Sequence, residues 1–266
     1  MQLRVDKRLS RGFQINTSYT WSHLLDQISE VFATDQTNSS LASIPPAQGP
    51  GLKMDYANSD YDRRHRVAIN YIWEIPGPRQ GWLSQIAGGW RVAGITVIQS
   101  GAPFTLINGL DRNGDGQTGP DRPDIGNASK PHNTRGVIDT LCASGLRSPE
   151  LSATAGSGCV TRNDVFAVQV ATNTGTSLIM PGLATIGRNT EHAQRAMNFD
   201  MSFFKAFRIS ESVKLEARLD AFNVFNHKQF TAIPPASLNS GAGSFYNFAQ
   251  TNGGNRNMRA GLKLTF

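Results

Sequence analysis

A chain of 266 residues can bury a sizeable core as one large domain or two small ones, yet only 39% of its residues are hydrophobic and 17% charged, both below the usual share. No window approaches the roughly 20 consecutive apolar residues of a spanning helix, which excludes helical membrane spans. The net charge of +6 invites a nucleic-acid reading, but Lys and Arg are scattered singly through strand-like segments and form no helical stripe, so no nucleic-acid partner is expected.

Taken in chain order, the sequence alternates at period two, the mark of a strand lying between two environments. Leu3, Val5 and Leu9 alternate with Gln2, Arg4 and Arg8. After a tight Ser10-Arg11-Gly12 turn, Phe13, Ile15, Thr17, Tyr19 and Trp21 alternate with Gln14, Asn16, Ser18 and Thr20, which predicts a hairpin. A long polar stretch precedes a third strand carrying Val67, Ile69, Tyr71, Trp73 and Ile75 on one face. A Pro/Gly turn leads to a fourth strand over 89 to 106, apolar in part on both faces, so that pattern alone cannot assign its sides.

The longest gap, 108 to 194, follows. A fifth strand then sets Met197, Phe199, Met201, Phe203, Phe207 and Ile209 against Asn198, Asp200, Ser202 and Arg208. The sixth has Val213, Leu215, Ala217, Leu219 and Ala221 on one face and Lys214, Glu216, Arg218 and Asp220 on the other; its phase slips at Phe222, which suggests a bulge. The seventh runs from 257 to the end, where Leu262, Leu264 and Phe266 alternate with Gly261, Lys263 and Thr265.

Short turns near 10–12, 76–88 and 210–212 alternate with long loops over 22–62, 107–194 and 231–256, so every short turn falls at one end. The fold class expected is therefore all-β: an antiparallel transmembrane β-barrel segment of about seven strands, with short periplasmic turns and long extracellular loops. Trp21, Trp73, Trp90, Phe225 and Phe230 fall near strand ends, where interfacial girdles belong. A secreted soluble β-sandwich binding carbohydrate or calcium is the alternative. It differs in where the apolar faces point: into a packed core rather than outward.

Bacterial single-chain barrels have even strand numbers, and an open sheet in lipid leaves two unpaired edges, each a cost of tens of kcal/mol at ~2 kcal/mol per group. These strands are expected to close with others. The N-terminus has no apolar h-region or cleavage site, in keeping with a chain that begins at a long extracellular loop. Residues 1–266 are read as one barrel segment, without plug or earlier strands.

The runs DYDRRHRVAINYIWEIPGP (60 to 78), GGWRVAGITVIQSGAPFTL (88 to 106), NFDMSFFKAFRI (198 to 209), LEARLDAFNVFNHKQF (215 to 230) and RAGLKLTF (259 to 266) resemble the C-terminal strands of TonB-dependent outer-membrane receptors. The likeness is closest to the Oar-like group with a carboxypeptidase-regulatory-like N-terminal domain. The resemblance implies a 22-strand type barrel around a plug, nutrient uptake energised through TonB, and a place in the cell outer membrane. It also implies that Leu262, Leu264 and Phe266 form the terminal signal read by the barrel-assembly machinery. Lipid, lipopolysaccharide and an unknown small-molecule or oligomeric ligand are the other partners expected.

Candidate sites are few. Residues 111 to 116, DRNGDG, fit the opening of a calcium loop, but its twelfth position is Arg122 and Pro120 and Pro123 deny the next helix. A looser Ca²⁺ site over Asp111, Asn113, Asp115 and Asp121 stands beside the plainer reading of a polar turn; no other cofactor is expected. The G-x-G-x-x-G match at Gly114, Gly116 and Gly119 is read as accidental, since neither strand nor helix flanks it. Cys142 and Cys159 fit a disulfide in an oxidising compartment or two unpaired thiols. Arg63, Arg64 and Arg66, around His65, could pair with lipopolysaccharide phosphates or form a solvated loop base. The row Lys214, Glu216, Arg218 and Asp220 reads as a lumenal charge ladder, with a substrate-path role secondary. No catalytic spacing is found, so no enzyme is expected.

Overall fold

The computed structural model describes residues 1–27, 29, 55–78, 81–112, 121–171, 185–210, 212–228, 237–247 and 254–266. Seven long strands dominate: β1 (Gln2–Ser10), β2 (Phe13–Trp21), β3 (His65–Glu74), β4 (Trp90–Gln99), β5 (Ala196–Arg208), β6 (Lys214–Phe222) and β7 (Asn257–Thr265). They form one antiparallel sheet in chain order, each bonded to its sequence neighbour. The sheet is open. The outer edges of β1 and β7 have no strand partner among the described residues.

Register fixes the faces, because residues paired across an antiparallel ladder share a side. One row reads Lys7, Ile15, Tyr71, Gly94, Met201, Ala221 and Met258. The neighbouring row reads Asp6, Asn16, Asn70, Ile95 and Asp200. The first belongs to an apolar face and the second to a polar one. Pairing also settles β4: Trp90, Val92, Gly94, Thr96 and Ile98 lie on the apolar face, and Arg91, Ala93, Ile95, Val97 and Gln99 on the polar face. Gly94 has a steric reason, since a Cβ there would sit 2.4 Å from the ring of Tyr71.

The apolar face is uncovered: Leu3, Val5, Leu262 and Leu264 are each more than half exposed, and no second sheet lies on it among the described residues. That is barrel geometry, not sandwich geometry. Along β2, Phe13 and Trp21 lie eight residues apart, or roughly 26 Å at ~3.3 Å per residue, close to the height of an outer-membrane apolar band. Trp73, Trp90 and Phe13 mark the short-turn end, while Trp21 and the edge-on pair Phe199 and Phe225, 5.2 Å apart, mark the other. Phe230 lies outside the described residues.

The short connections are tight for local reasons. Arg11 and Gly12, both at positive φ (51° and 78°), make a two-residue turn whose twist matches the hairpin. The connection after β3 contains a short helix, α1 (Trp82–Ala87), where the sequence predicted only a turn.

Two other expectations need correction. The fourth strand stops at Gln99 rather than 106: a side chain at Gly101 would collide with the Ala193 carbonyl, Pro103 has no N–H for the ladder, and Pro103–Phe104 pairs instead with Glu191–His192. No bulge interrupts β6, whose register with β7 is unbroken from Lys214 to Phe222. The apparent slip is an aromatic placed on the polar face, where the Arg259 guanidinium lies 5.6 Å from the Phe222 ring centroid. The ladder irregularity occurs in β1, between Lys7 and Ser10.

The buried core lies in the loops. Phe104, Leu106, Val137, Phe166, Ala167, Ile186, Leu238 and Phe245 form one apolar cluster, and Leu146, Val160, Val165 and Val168 a second. A four-stranded sheet of two-to-four-residue strands (Asp124–Ile125, Arg135–Ile138, Leu146–Arg147, Ala167–Val168) stands within the longest loop.

Candidate functional site: the polar face and the loop cap

Strand alternation projects every second side chain of the sheet onto one polar face. There Arg91 and Arg218 pair in register with Phe204 from either side, their guanidinium carbons 4.5 and 5.2 Å from its ring centroid. Arg218 Nε donates to Asp220 at 2.8 Å and Ser202 Oγ donates to the same carboxylate oxygen at 2.5 Å. Asp200 accepts from Asn198 (2.7 Å) and from the main-chain N–H of Asn223 (2.9 Å). Arg91 and Glu216 stand 3.6 Å apart, both about two-fifths exposed, so screening leaves that pair little energy. Phe204 acts as a spacer holding two arginines extended across the wall.

Mid-wall, the polar face hollows into a concavity of about 420 Å³. Ile72, Ala93 and Ile95 supply an apolar floor; Gln14, Asn16 and Asn70 line one flank, and Asp200, Ser202 and Asp220 the other. Planar amides opposite carboxylates present donors and acceptors to a polar solute, while the floor accepts an apolar surface. The mixed pattern of β4 thus has a positional meaning that sequence did not supply.

Three long loops meet in a single cap at the other end. Arg122 Nη1 donates to Asp55 at 3.0 Å, both 1% exposed. Arg188 donates to the Asp55 carbonyl (2.9 Å), to Ser29 Oγ (3.2 Å) and to Asp26. Asn189 Nδ2 donates to the Asn58 carbonyl at 2.7 Å, and its main-chain N–H to Thr105 Oγ1 at 2.9 Å. The third loop joins through Arg135, which is fully buried, donates to Glu150 (2.9 Å) and to the carbonyls of Ser237, Leu238 and Gly241, and lies over the Phe245 ring at 4.5 Å. Burial presses the Arg122 and Arg135 guanidinium pKa values down, and Asp55 and Glu150 respectively oppose it. A charge this deep is tolerated only with a carboxylate and carbonyls around it.

Glu191 ties the cap once more. His132 Nδ1 lies 2.8 Å from its carboxylate while stacking on Phe166 at 4.0 Å, and the Tyr246 hydroxyl donates to the same group. Burial first, then the Glu191 hydrogen bond and charge, raises the Tyr246 phenol far above its ordinary value.

The sequence-predicted sites are dispersed. Cys142 and Cys159 are joined, Cα atoms 5.6 Å apart, in the lobe held by Asp139. Asp121 is buried and accepts the main-chain N–H of Arg112, the residue after Asp111, at 2.7 Å; Asn113, Asp115 and the glycines at 114, 116 and 119 lie outside the described residues. No cluster of three or more His, Cys, Asp or Glu side chains suited to a metal occurs among the described residues. The basic cluster divides: Arg63 donates to the carbonyls of Asp60 and Asp62 (2.9 and 2.8 Å), Arg64 stands 3.5 Å from Asp62, His65 meets the Tyr19 hydroxyl on the apolar face at 2.8 Å, and Arg66 lies on the polar face. Leu262, Leu264 and Phe266 are exposed along β7 and its end, with Phe266 at 94%.

The buried arginines of the cap are residues that sequence reasoning missed. Nothing local distinguishes Arg188 or Arg122 from a solvated loop arginine, because their partners Asp26 and Asp55 are distant in the chain.

A family model described as "Outer membrane beta barrel domain" matches residues 1–259. Neither the curated proteins nor the solved structures gave a match to this chain.

Proposed function

We infer the function from one premise: the chain belongs to the outer membrane beta barrel domain family, and it resides in the outer membrane. With its apolar face in lipid, the polar face of the seven-stranded sheet borders water. The proposed role is the wall and extracellular gate of a solute-uptake barrel of the TonB-dependent receptor type. In this reading the open edges of β1 and β7 pair with further strands of a 22-strand type barrel, and TonB is engaged outside the seven-stranded sheet.

One observation carries this reading: the loops between β2 and β3, β4 and β5, and β6 and β7 are knit into a cap by Arg188, Arg122 and Arg135. A merely passive pore gains nothing from a lid with its own apolar core. A receptor that must hold a scarce solute before admitting it does, and the chemistry is then binding and gating with no covalent step. The resemblance of the strand sequences to TonB-dependent receptors supplies the energy source. Site-specific photocrosslinking in whole cells tests it. A TonB adduct on the receptor supports the reading, and solute-independent, TonB-independent conductance of the purified protein in planar bilayers sinks it.

The loop calcium site of Asp111, Asn113, Asp115 and Asp121 belongs to the same proposal. Calorimetric titration with millimolar calcium tests it, and absence of binding removes it. Recognition of Leu262, Leu264 and Phe266 by the assembly machinery is likewise proposed, with Phe266→Ala expected to slow insertion in pulse-chase assembly.

A further inference from the structure

Lys205 is a cation on the wrong face. Its register partners are Trp90 and Ala217, both on the side that meets lipid. It is only 5% exposed, and no carboxylate pairs with it among the described residues. Its ammonium lies 5.3 Å from the Trp90 ring centroid and 5.1 Å from that of Phe207, and donates to the carbonyl of Gly88 at the end of α1. One carbonyl and two rings satisfy part of an ammonium; its charge is left without a counter-ion on a surface where charge is costly.

Beside it runs an apolar trough of about 930 Å³. Ala217 and Ala260 form its low floor, and Phe203, Leu219 and Leu262 rise around them. Lys205 is three residues from the end of β5, or about 10 Å from the short-turn rim, within reach of the periplasmic headgroup layer. On the same rim α1 exposes Trp82 (73%) and Ile86 (65%), and the Trp90 indole N–H donates to the Ile86 carbonyl at 2.9 Å, fastening the helix to β4.

We propose that this trough binds one anionic glycerophospholipid of the periplasmic leaflet, with its phosphate on Lys205 and an acyl chain along Ala217 and Ala260. The phosphate supplies the missing counter-ion. The trough supplies the dispersion contacts that a flat barrel surface lacks.

The test is native mass spectrometry of the protein extracted from outer membranes in mild detergent, mixed with dioleoylphosphatidylglycerol or with the same amount of dioleoylphosphatidylcholine. The wild type should retain phosphatidylglycerol about fivefold over phosphatidylcholine. Lys205→Met should erase that preference, Lys205→Arg should keep it, and Ala217→Phe, which fills the floor, should lower retention of both lipids. Equal retention of the two lipids by the wild type overturns the proposal, as does a preference that survives Lys205→Met. Should Lys205→Met not assemble, judged by its heat-shifted electrophoretic band, unchanged phosphatidylglycerol retention by Ala217→Phe overturns it instead. None of these readouts depends on transport.

Discussion

Arg188 reaches 162 residues back along the chain to Asp26, donating from Nη2 to its main-chain carbonyl at 2.8 Å and to its carboxylate. This joins the loop after β2 to the loop before β5. Arg188→Ala should therefore unlock the cap and leave the wall intact. Arg188 is 1% and Asp26 25% exposed, so the loss expected is about 2–3 kcal/mol, below that for a wholly buried pair. Limited proteolysis checks this: new cuts should appear in residues 22–62 while the strands stay protected.

The same pair gives the cap a pH limit. Burial works against the Asp26 charge, but hydrogen bonds from Ser59, Arg188 and Ser29, with the Arg188 charge, outweigh it and lower the pKa. A depressed folded pKa means the stabilisation is fully present above the unfolded value, ~3.9, and is lost as pH falls through the folded one. Asp139, lowered by the main-chain N–H groups of Gly156 and Leu141, acts in the same direction. Protease resistance of the cap should be flat from neutral pH down to about 4 and fall below it. A cap that loosens on raising the pH from 5 to 8 would contradict this.

Neighbouring residues of β3 should respond unequally to the same substitution. Ile69 lies on the apolar face and Asn70 on the polar face. Ile69→Arg is expected to cost about 2–4 kcal/mol in lipid, as for a charge near the bilayer midplane, and Asn70→Arg less than about 1 kcal/mol. Denaturant unfolding in vesicles measures both, and equal losses would mean the faces are misassigned.

Orientation can be read by labelling. Ala128, in the cap, and Ser212, in the turn between β5 and β6, are both exposed. A membrane-impermeant maleimide added to intact cells should label Ala128→Cys and should label Ser212→Cys only after the outer membrane is opened. The reverse pattern would invert the sheet.

The disulfide closes a separation of 17 residues, which on chain-entropy grounds stabilises its lobe by about 3 kcal/mol. Replacing both cysteines with serine should raise hydrogen exchange in residues 139–160 and leave the exchange of β1 to β7 unchanged. Faster exchange throughout the wall would show that lobe and wall unfold together.

How much of this was legible varies with the range of the interactions. The strands could be read because alternation is local: Val213 to Ala221 against Lys214 to Asp220 needs no partner to be recognised. The sides of β4 could not, since Ala93, Ile95 and Val97 on one face are as apolar as Val92, Thr96 and Ile98 on the other. Only pairing with Asn70 and Asp200 places Ile95 on the polar wall. The longest loop, read as a gap, turned out to hold the core, because strands of two to four residues are too short to show a period.

By itself the sequence determined the seven-strand meander, the division of faces on every long strand but β4 and the end at which the short turns lie, because period-two patterning and turn chemistry act over a few residues. The tertiary structure alone decided that Arg188, Arg122 and Arg135 are buried struts, that Lys205 sits beside a lipid-facing trough, and that Phe204 spaces two arginines. Burial and ion pairing depend on which distant segments meet, and a charged side chain carries no local sign of the company it will keep.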